Sequence, residues 1–76
     1  MSYAGFSTPE SAALFANRAA CYVALKDGHL AREDALKAIE LDPAYAKGYY
    51  RAAKAAILEG ELEEATTYFQ KVGWKG

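Results

Sequence analysis

Apolar residues recur along the chain at intervals of three and four positions, the spacing of one face of an α-helix. The pattern predicts four helices and no strand, with the helices near residues 9–26, 30–41, 45–59 and 62–72. Pro43 cannot continue the second helix, Gly28 is the expected left-handed cap of the first, and the third is expected to stop at Gly60. The last helix has four predicted core positions: Leu62, Ala65, Phe69 and Val72.

The two halves of the chain match each other at a spacing of 34 residues. Small residues fall on small residues, since Ala19 aligns with Ala53 and Ala31 with Ala65. A helical repeat of this length is typical of stacked hairpins that form a binding surface rather than an active site. The sequence therefore predicts an all-α fold of two tandem antiparallel helix hairpins.

Length, net charge and cysteine content limit the number of domains, the kind of partner and the cellular compartment that we expect. The 76 residues suffice for one domain, and the net charge of −1 gives no reason to expect nucleic acid or a membrane as partner. Cys21 is the only cysteine, which excludes an internal disulfide and favours a reducing compartment such as the cytoplasm. Within its Ala-rich helix we expect Cys21 to be a small buried packing residue.

Three basic residues are predicted to share one face of the third helix. Lys47, Arg51 and Lys54 stand at i, i+4 and i+7. An arginine can hold a carboxylate through two parallel hydrogen bonds, and a lysine adds a point charge. The spacing is thus compatible with a site for a carboxylate ligand, and equally with the solvated side of an ordinary helix.

The first helix offers polar and small residues that complement this face. Asn17 occupies the position that Arg51 holds one repeat later, and Ala20 lies on the same predicted face of its helix. Leu58 extends the basic face of the third helix by one turn. We expect a shallow groove between the two helices, with Asn17, Ala20, Lys47, Arg51, Lys54 and Leu58 as its binding residues.

Catalytic and metal sites are not predicted. His29 is the only histidine and falls at a predicted turn, away from Ser11 and Asp27 in the predicted fold. The sequence has no glycine-rich phosphate loop and no metal-ligand spacing. We therefore expect no enzyme activity, no metal and no cofactor.

The residues resemble those of a known family. The 34-residue period, Tyr22, Ala31, Ala38 and the helix-ending residues 41–43 resemble tandem tetratricopeptide repeats. The resemblance implies an arm over residues 1–10, repeats over 11–44 and 45–73, and a tail over 74–76. It also implies that the four helices are a fragment of a right-handed α-solenoid.

Residues 14–22 and 46–53 resemble the helices of carboxylate-clamp tetratricopeptide domains, which occur in co-chaperones. Those domains bind the Glu-Glu-Val-Asp tail of the cytosolic heat-shock proteins 70 and 90. The resemblance implies that Asn17, Lys47 and Arg51 hold the terminal carboxylates. In that family a preceding repeat supplies one more lysine and asparagine, and residues 1–10 lack this pattern, so weak, salt-sensitive binding is expected.

An alternative function is structural. Two repeats leave apolar helix faces uncovered, and Tyr3, Phe6 and Trp74 lie outside the repeats. The chain could then be a scaffold fragment that docks against other repeats or forms a homo-oligomer.

Overall fold

The computed structural model describes residues 9–73 as four α-helices joined by short turns. The helices are α1 (Pro9–Ala24), α2 (Gly28–Leu41), α3 (Ala46–Leu58) and α4 (Leu62–Lys71). Each helix packs against the next, and α1 also packs against α3. The prediction of two helical hairpins is confirmed, with every boundary within two residues of its expected place. The expectations for Tyr3, Phe6 and Trp74 lie outside the described residues.

The first and third helices end in the same way. Lys26 and Gly60, which are 34 positions apart, both adopt the left-handed conformation, with φ of 65° and 78°. In each case the next residue donates its N–H to a carbonyl near the helix end, Asp27 to Tyr22 at 2.9 Å and Glu61 to Ala56 at 2.8 Å. These bonds satisfy carbonyls that the helix leaves unpaired. The cap of the first helix is therefore Lys26, and the prediction of Gly28 was wrong.

Two aspartates fix the ends of α2. The Oδ1 of Asp27 accepts the N–H of Leu30 at 3.1 Å and so caps the start of the helix. Asp42 leaves the helix with φ of −149° and ψ of 90°, because the ring of Pro43 excludes the helical conformation before it. The turn predicted at Pro43 is confirmed.

Alanine makes up the centre of the fold. The apolar residues that are fully or almost fully buried among those described are Ala12, Ala16, Ala19, Ala31, Ala35, Ala38, Ala52, Ala53, Ala55, Ala56 and Ala65. Larger residues such as Phe15, Ile39, Tyr68 and Phe69 are only half-buried and pack around them. Burial raises the pKa of Tyr68, and the nearby carboxylate of Glu64 raises it further, so its phenol remains neutral against the core.

Two residues are more exposed than their positions predicted. Leu62 begins the apolar stripe of α4, yet it is 64% exposed because no described element covers the start of that helix. Cys21 is exposed as well, whereas a buried packing residue was expected. Ala19 of α1 and Ala65 of α4, which the repeat alignment matched with Ala53 and Ala31, are fully or almost fully buried.

The glycine at residue 28 serves close packing between the two hairpins. A Cβ at Gly28 would lie 2.8 Å from Glu59 Cγ, 3.0 Å from Leu58 Cβ and 3.3 Å from the Ala55 carbonyl oxygen. A Cβ at Gly48 would lie 3.2 Å from Ile39 Cγ1. Both glycines stand where α2 meets α3, so these two helices approach more closely than side chains would allow.

We predict that Gly28→Ala destabilises the protein by about 1–3 kcal/mol, because α2 must move away from α3 or displace Glu59. Chemical denaturation measures the change in the free energy of unfolding. Alanine is intrinsically the better helix former, so helix propensity alone would give the opposite sign.

Lys26→Gly is the matched control in the same turn. Glycine adopts the left-handed conformation without steric cost, so this variant is expected to gain up to about 1 kcal/mol. A Gly28→Ala variant as stable as the parent chain would show that the helices do not depend on this close approach.

Candidate functional site

The residues predicted to bind a ligand lie on the two helices that begin the hairpins. Asn17 and Ala20 lie on α1, whereas Lys47, Arg51, Lys54 and Leu58 lie on α3. Since α1 and α3 pack directly against each other, both sets belong to neighbouring elements. Asn17, Lys47 and Leu58 are exposed, while Ala20, Arg51 and Lys54 are half-buried. The convergence of Asn17 with Lys47 and Arg51 on one hollow remains a prediction.

Arg18 is held by a carboxylate within the first hairpin. Its Nε lies 2.6 Å from Asp34 Oδ2, and its Nη2 lies 3.0 Å from Asp34 Oδ1. Asp34 is a buried residue of α2, so this bidentate pair connects α1 to α2. The hydrogen bond to Asp34 and the attraction of its charge raise the pKa of Arg18.

Arg32 is held by two carboxylates and links the hairpins. Its Nη1 lies 3.2 Å from Glu59 Oε1, and its Nη2 lies 2.7 Å from Glu64 Oε2. These contacts hold α2 against the end of α3 and the first turn of α4. The carboxylates of Glu59 and Glu64 are thus both engaged by Arg32 of α2.

Arg51 differs from both of these arginines. It forms no ion pair within residues 9–73, and neither do Lys47 and Lys54. The Nε of Arg51 is buried and has no hydrogen-bond acceptor there. A buried donor without an acceptor costs about 1–3 kcal/mol, and Glu64 Oε1 is a second buried polar atom without a partner among residues 9–73. We call Lys47, Arg51 and Lys54 the cationic face of α3.

An aromatic ring lies within the cationic face. The guanidinium carbon of Arg51 is 5.4 Å from the centroid of the Tyr50 ring, and the Nζ of Lys54 is 5.9 Å from the same centroid. Both distances fall within the range of cation–π attraction. Tyr50 was not among the residues predicted from the sequence. It lies three residues after Lys47 and four before Lys54, a helical spacing that places it on the same face as both lysines.

A cavity of about 480 Å³ opens on α1 and is lined by Leu14, Phe15, Asn17, Arg18 and Cys21. Asn17 is the residue that it shares with the predicted groove. Leu14, Arg18 and Cys21 follow one another at i, i+4 and i+7, a spacing that could have revealed this surface from the sequence. The cavity is mainly apolar, although Arg18, which is paired with Asp34, also lines it.

The fold and these residues are those of a tetratricopeptide repeat protein. The family model for the tetratricopeptide repeat matches residues 12–45 and 46–72. These two matches cover most of the chain, and the chain belongs to this family.

Several curated proteins are similar to the chain in sequence. The chain is 42% identical over 64 residues to small glutamine-rich tetratricopeptide repeat-containing protein 2 of Saccharomyces cerevisiae, which covers 84% of the chain and 18% of that protein. It is 38% identical over 58 residues to heat shock protein STI1 of the same yeast, with 76% of the chain and 10% of that protein covered. The Hsp70-Hsp90 organizing protein of Triticum aestivum is 40% identical over 62 residues, covering 82% of the chain and 11% of that protein.

The chain thus spans between 10% and 18% of the length of these relatives. No solved structure matches it significantly. Within residues 9–73, no helix has both the length and the apolar character needed to cross a bilayer.

The missing acceptor at Arg51 leads to a prediction about stability. Arg51→Met should raise the free energy of unfolding by about 0.5–1 kcal/mol, because the unpaired buried donor disappears at the cost of one cation–π contact. Arg32→Met should lower it, because two carboxylates lose their partner. Chemical denaturation of both variants measures the difference.

A loss of stability in Arg51→Met equal to that in Arg32→Met would contradict this assignment. It would mean that Arg51 contributes to the fold in the same way as the paired arginines do.

Proposed function

We propose that this tetratricopeptide chain is an adaptor module that binds the acidic C-terminal peptide of a heat-shock chaperone, of Glu-Glu-Val-Asp type. The peptide would lie along α1 and α3, with its terminal carboxylates on Asn17, Lys47 and Arg51. Relatives include the Hsp70-Hsp90 organizing protein and the Hsp70/Hsp90 co-chaperone CNS1, both of which are named after these chaperones. The proposed function is binding rather than catalysis, in the reducing cytoplasm that the sequence favours.

One observation carries the proposal: Arg51 forms no ion pair within residues 9–73, whereas the other two arginines of that range, Arg18 and Arg32, are bound to carboxylates. A peptide carboxylate would pair with this guanidinium through its other N–H groups, because Nε itself is buried and out of reach of a ligand. Charge-assisted hydrogen bonds of this kind contribute about 1.5–3 kcal/mol each, enough to decide whether a short peptide binds. Lys47 is exposed on the same helix and adds attraction at longer range.

The remaining residues of the proposed site have supporting roles. Asn17 is exposed on α1 and can donate an amide N–H to a carboxylate without adding charge. Ala20 keeps the surface of α1 shallow, and Leu58 offers an apolar contact at the end of α3. Lys54 increases the positive potential of the cationic face.

Titration of a Glu-Glu-Val-Asp peptide against the chain tests the proposal. We expect weak binding that declines as salt is added, because the attraction comes from partly exposed charges. Arg51→Ala and Lys47→Ala should each weaken binding about tenfold. Lys71→Ala is the matched control, since Lys71 is exposed on α4 and should leave the affinity unchanged.

Amidation of the peptide terminus provides the second control. It removes one negative charge and leaves the side chains in place, so it should weaken binding as strongly as Arg51→Ala does. Equal affinities for the free and the amidated peptide would refute recognition of a terminal carboxylate.

A second candidate function, docking against other repeats or a second copy, is favoured by the surface of α1. Leu14 is 68% exposed and Cys21 is exposed, whereas the residues 34 positions later, Gly48 and Ala55, are buried. The face of α3 that packs within the molecule therefore has an uncovered counterpart on α1. Sedimentation equilibrium separates the candidates, because self-association requires an apparent mass that rises with concentration.

A further inference from the structure

Tyr50 occupies an unusual position among the aromatic residues of the described chain. It lies on α3 with 38% of its surface exposed, and its ring is close to two cations at once. The edge of the ring packs against Phe69 of α4, with centroids 6.0 Å apart and an interplanar angle of 62°. This edge-to-face contact fixes the ring relative to the second hairpin.

Arg51 and Lys54 depend on this ring for their placement. Neither side chain forms an ion pair with residues 9–73, so Tyr50 is the partner that the structure gives to their charged groups. A lysine or arginine side chain on a helix surface otherwise loses rotamer freedom when a ligand immobilises it. A ring that already restricts both side chains reduces that loss.

Whether a bound cation can still attract an anion depends on whether its partner is a carboxylate or an aromatic ring. Arg18 is also near a ring, with its guanidinium carbon 5.5 Å from Phe15, but Asp34 binds it and neutralises its charge. An aromatic ring attracts a cation through its quadrupole and carries no net charge. Arg51 and Lys54 are therefore restrained without being neutralised, which leaves their positive charge available to an anion.

We propose that Tyr50 is the positioning residue of the anion-binding surface, holding Arg51 and Lys54 in place through its ring. The inference rests on the proposed function in that the anion is the peptide carboxylate. The role requires an aromatic ring, not a hydroxyl group, and it acts on the free protein before any peptide binds.

Nuclear magnetic resonance of the free chain tests the positioning directly. The Nε–H proton of Arg51 and the terminal methylene protons of Lys54 should show ring-current shifts in the parent chain. Tyr50→Phe should retain these shifts, and Tyr50→Leu should abolish them. Absence of the shifts in the parent chain would overturn the proposal without the need for any variant.

Peptide affinity gives the second readout, with a Glu-Glu-Val-Asp peptide as the probe. Tyr50→Phe should bind as the parent chain does, whereas Tyr50→Leu should bind about fivefold more weakly, the loss expected from about 1 kcal/mol of cation–π attraction. Circular dichroism checks that Tyr50→Leu remains helical. Equal affinity for all three proteins, or equal weakening in both variants, would overturn the role of the ring.

The two proposals fail in different ways. If the parent chain shows ring-current shifts but binds no peptide, the carboxylate function is wrong, and the restraint of the two cations by Tyr50 stands. If the parent chain binds the peptide and Tyr50→Leu binds equally well, the function stands and the positioning role is wrong.

Discussion

The close approach of α2 to α3 is the contact on which the rest of this molecule depends. A Cβ at Gly28 would clash at this contact and one at Gly48 would be tight, and the alanines around them are fully buried. Because α2 lies tightly against α3, the second hairpin is stacked on the first and α1 comes to lie against α3. The placement of α1, which carries Asn17, beside α3, which carries the cationic face, is a consequence of that stacking.

Two arginines form ion pairs that connect the stacked helices, whereas the cations of α3 form none within the described residues. Arg18 joins the two helices of the first hairpin, and Arg32 joins the hairpins to each other, each through carboxylates. The cationic face of α3 has no carboxylate partner within the described residues. Among residues 9–73 the buried Nε of Arg51 therefore stays without an acceptor, in contrast to the guanidinium groups of Arg18 and Arg32.

The helices and their order could be predicted from the sequence because they follow from local rules. The 34-residue match located both hairpins, and Pro43 fixed the turn between them. The left-handed conformation of Lys26 was missed because glycine is the usual residue at such a position. Gly28 is needed for a different reason: a side chain there would clash with residues of α3, which are distant in sequence. The exposure of Cys21 and Leu62 was missed because it depends on which faces other elements cover.

The candidate site could be predicted only in part. Helical spacing gathered Lys47, Arg51 and Lys54 on one face, but it could not show that Arg51 lacks an acceptor while Arg18 and Arg32 are bound. That difference depends on Asp34, Glu59 and Glu64, whose partners are set by tertiary contacts. The role of Tyr50 was missed for the same reason, since its distances to two cations come from side-chain placement.

An experimental structure of the chain with a Glu-Glu-Val-Asp peptide tests the central claim most directly. The account predicts that the terminal carboxylate lies within hydrogen-bond distance of Arg51 and of Asn17 at the same time, bridging the two hairpins. A peptide bound elsewhere, or Asn17 and Arg51 directed to opposite sides of the molecule, would contradict it.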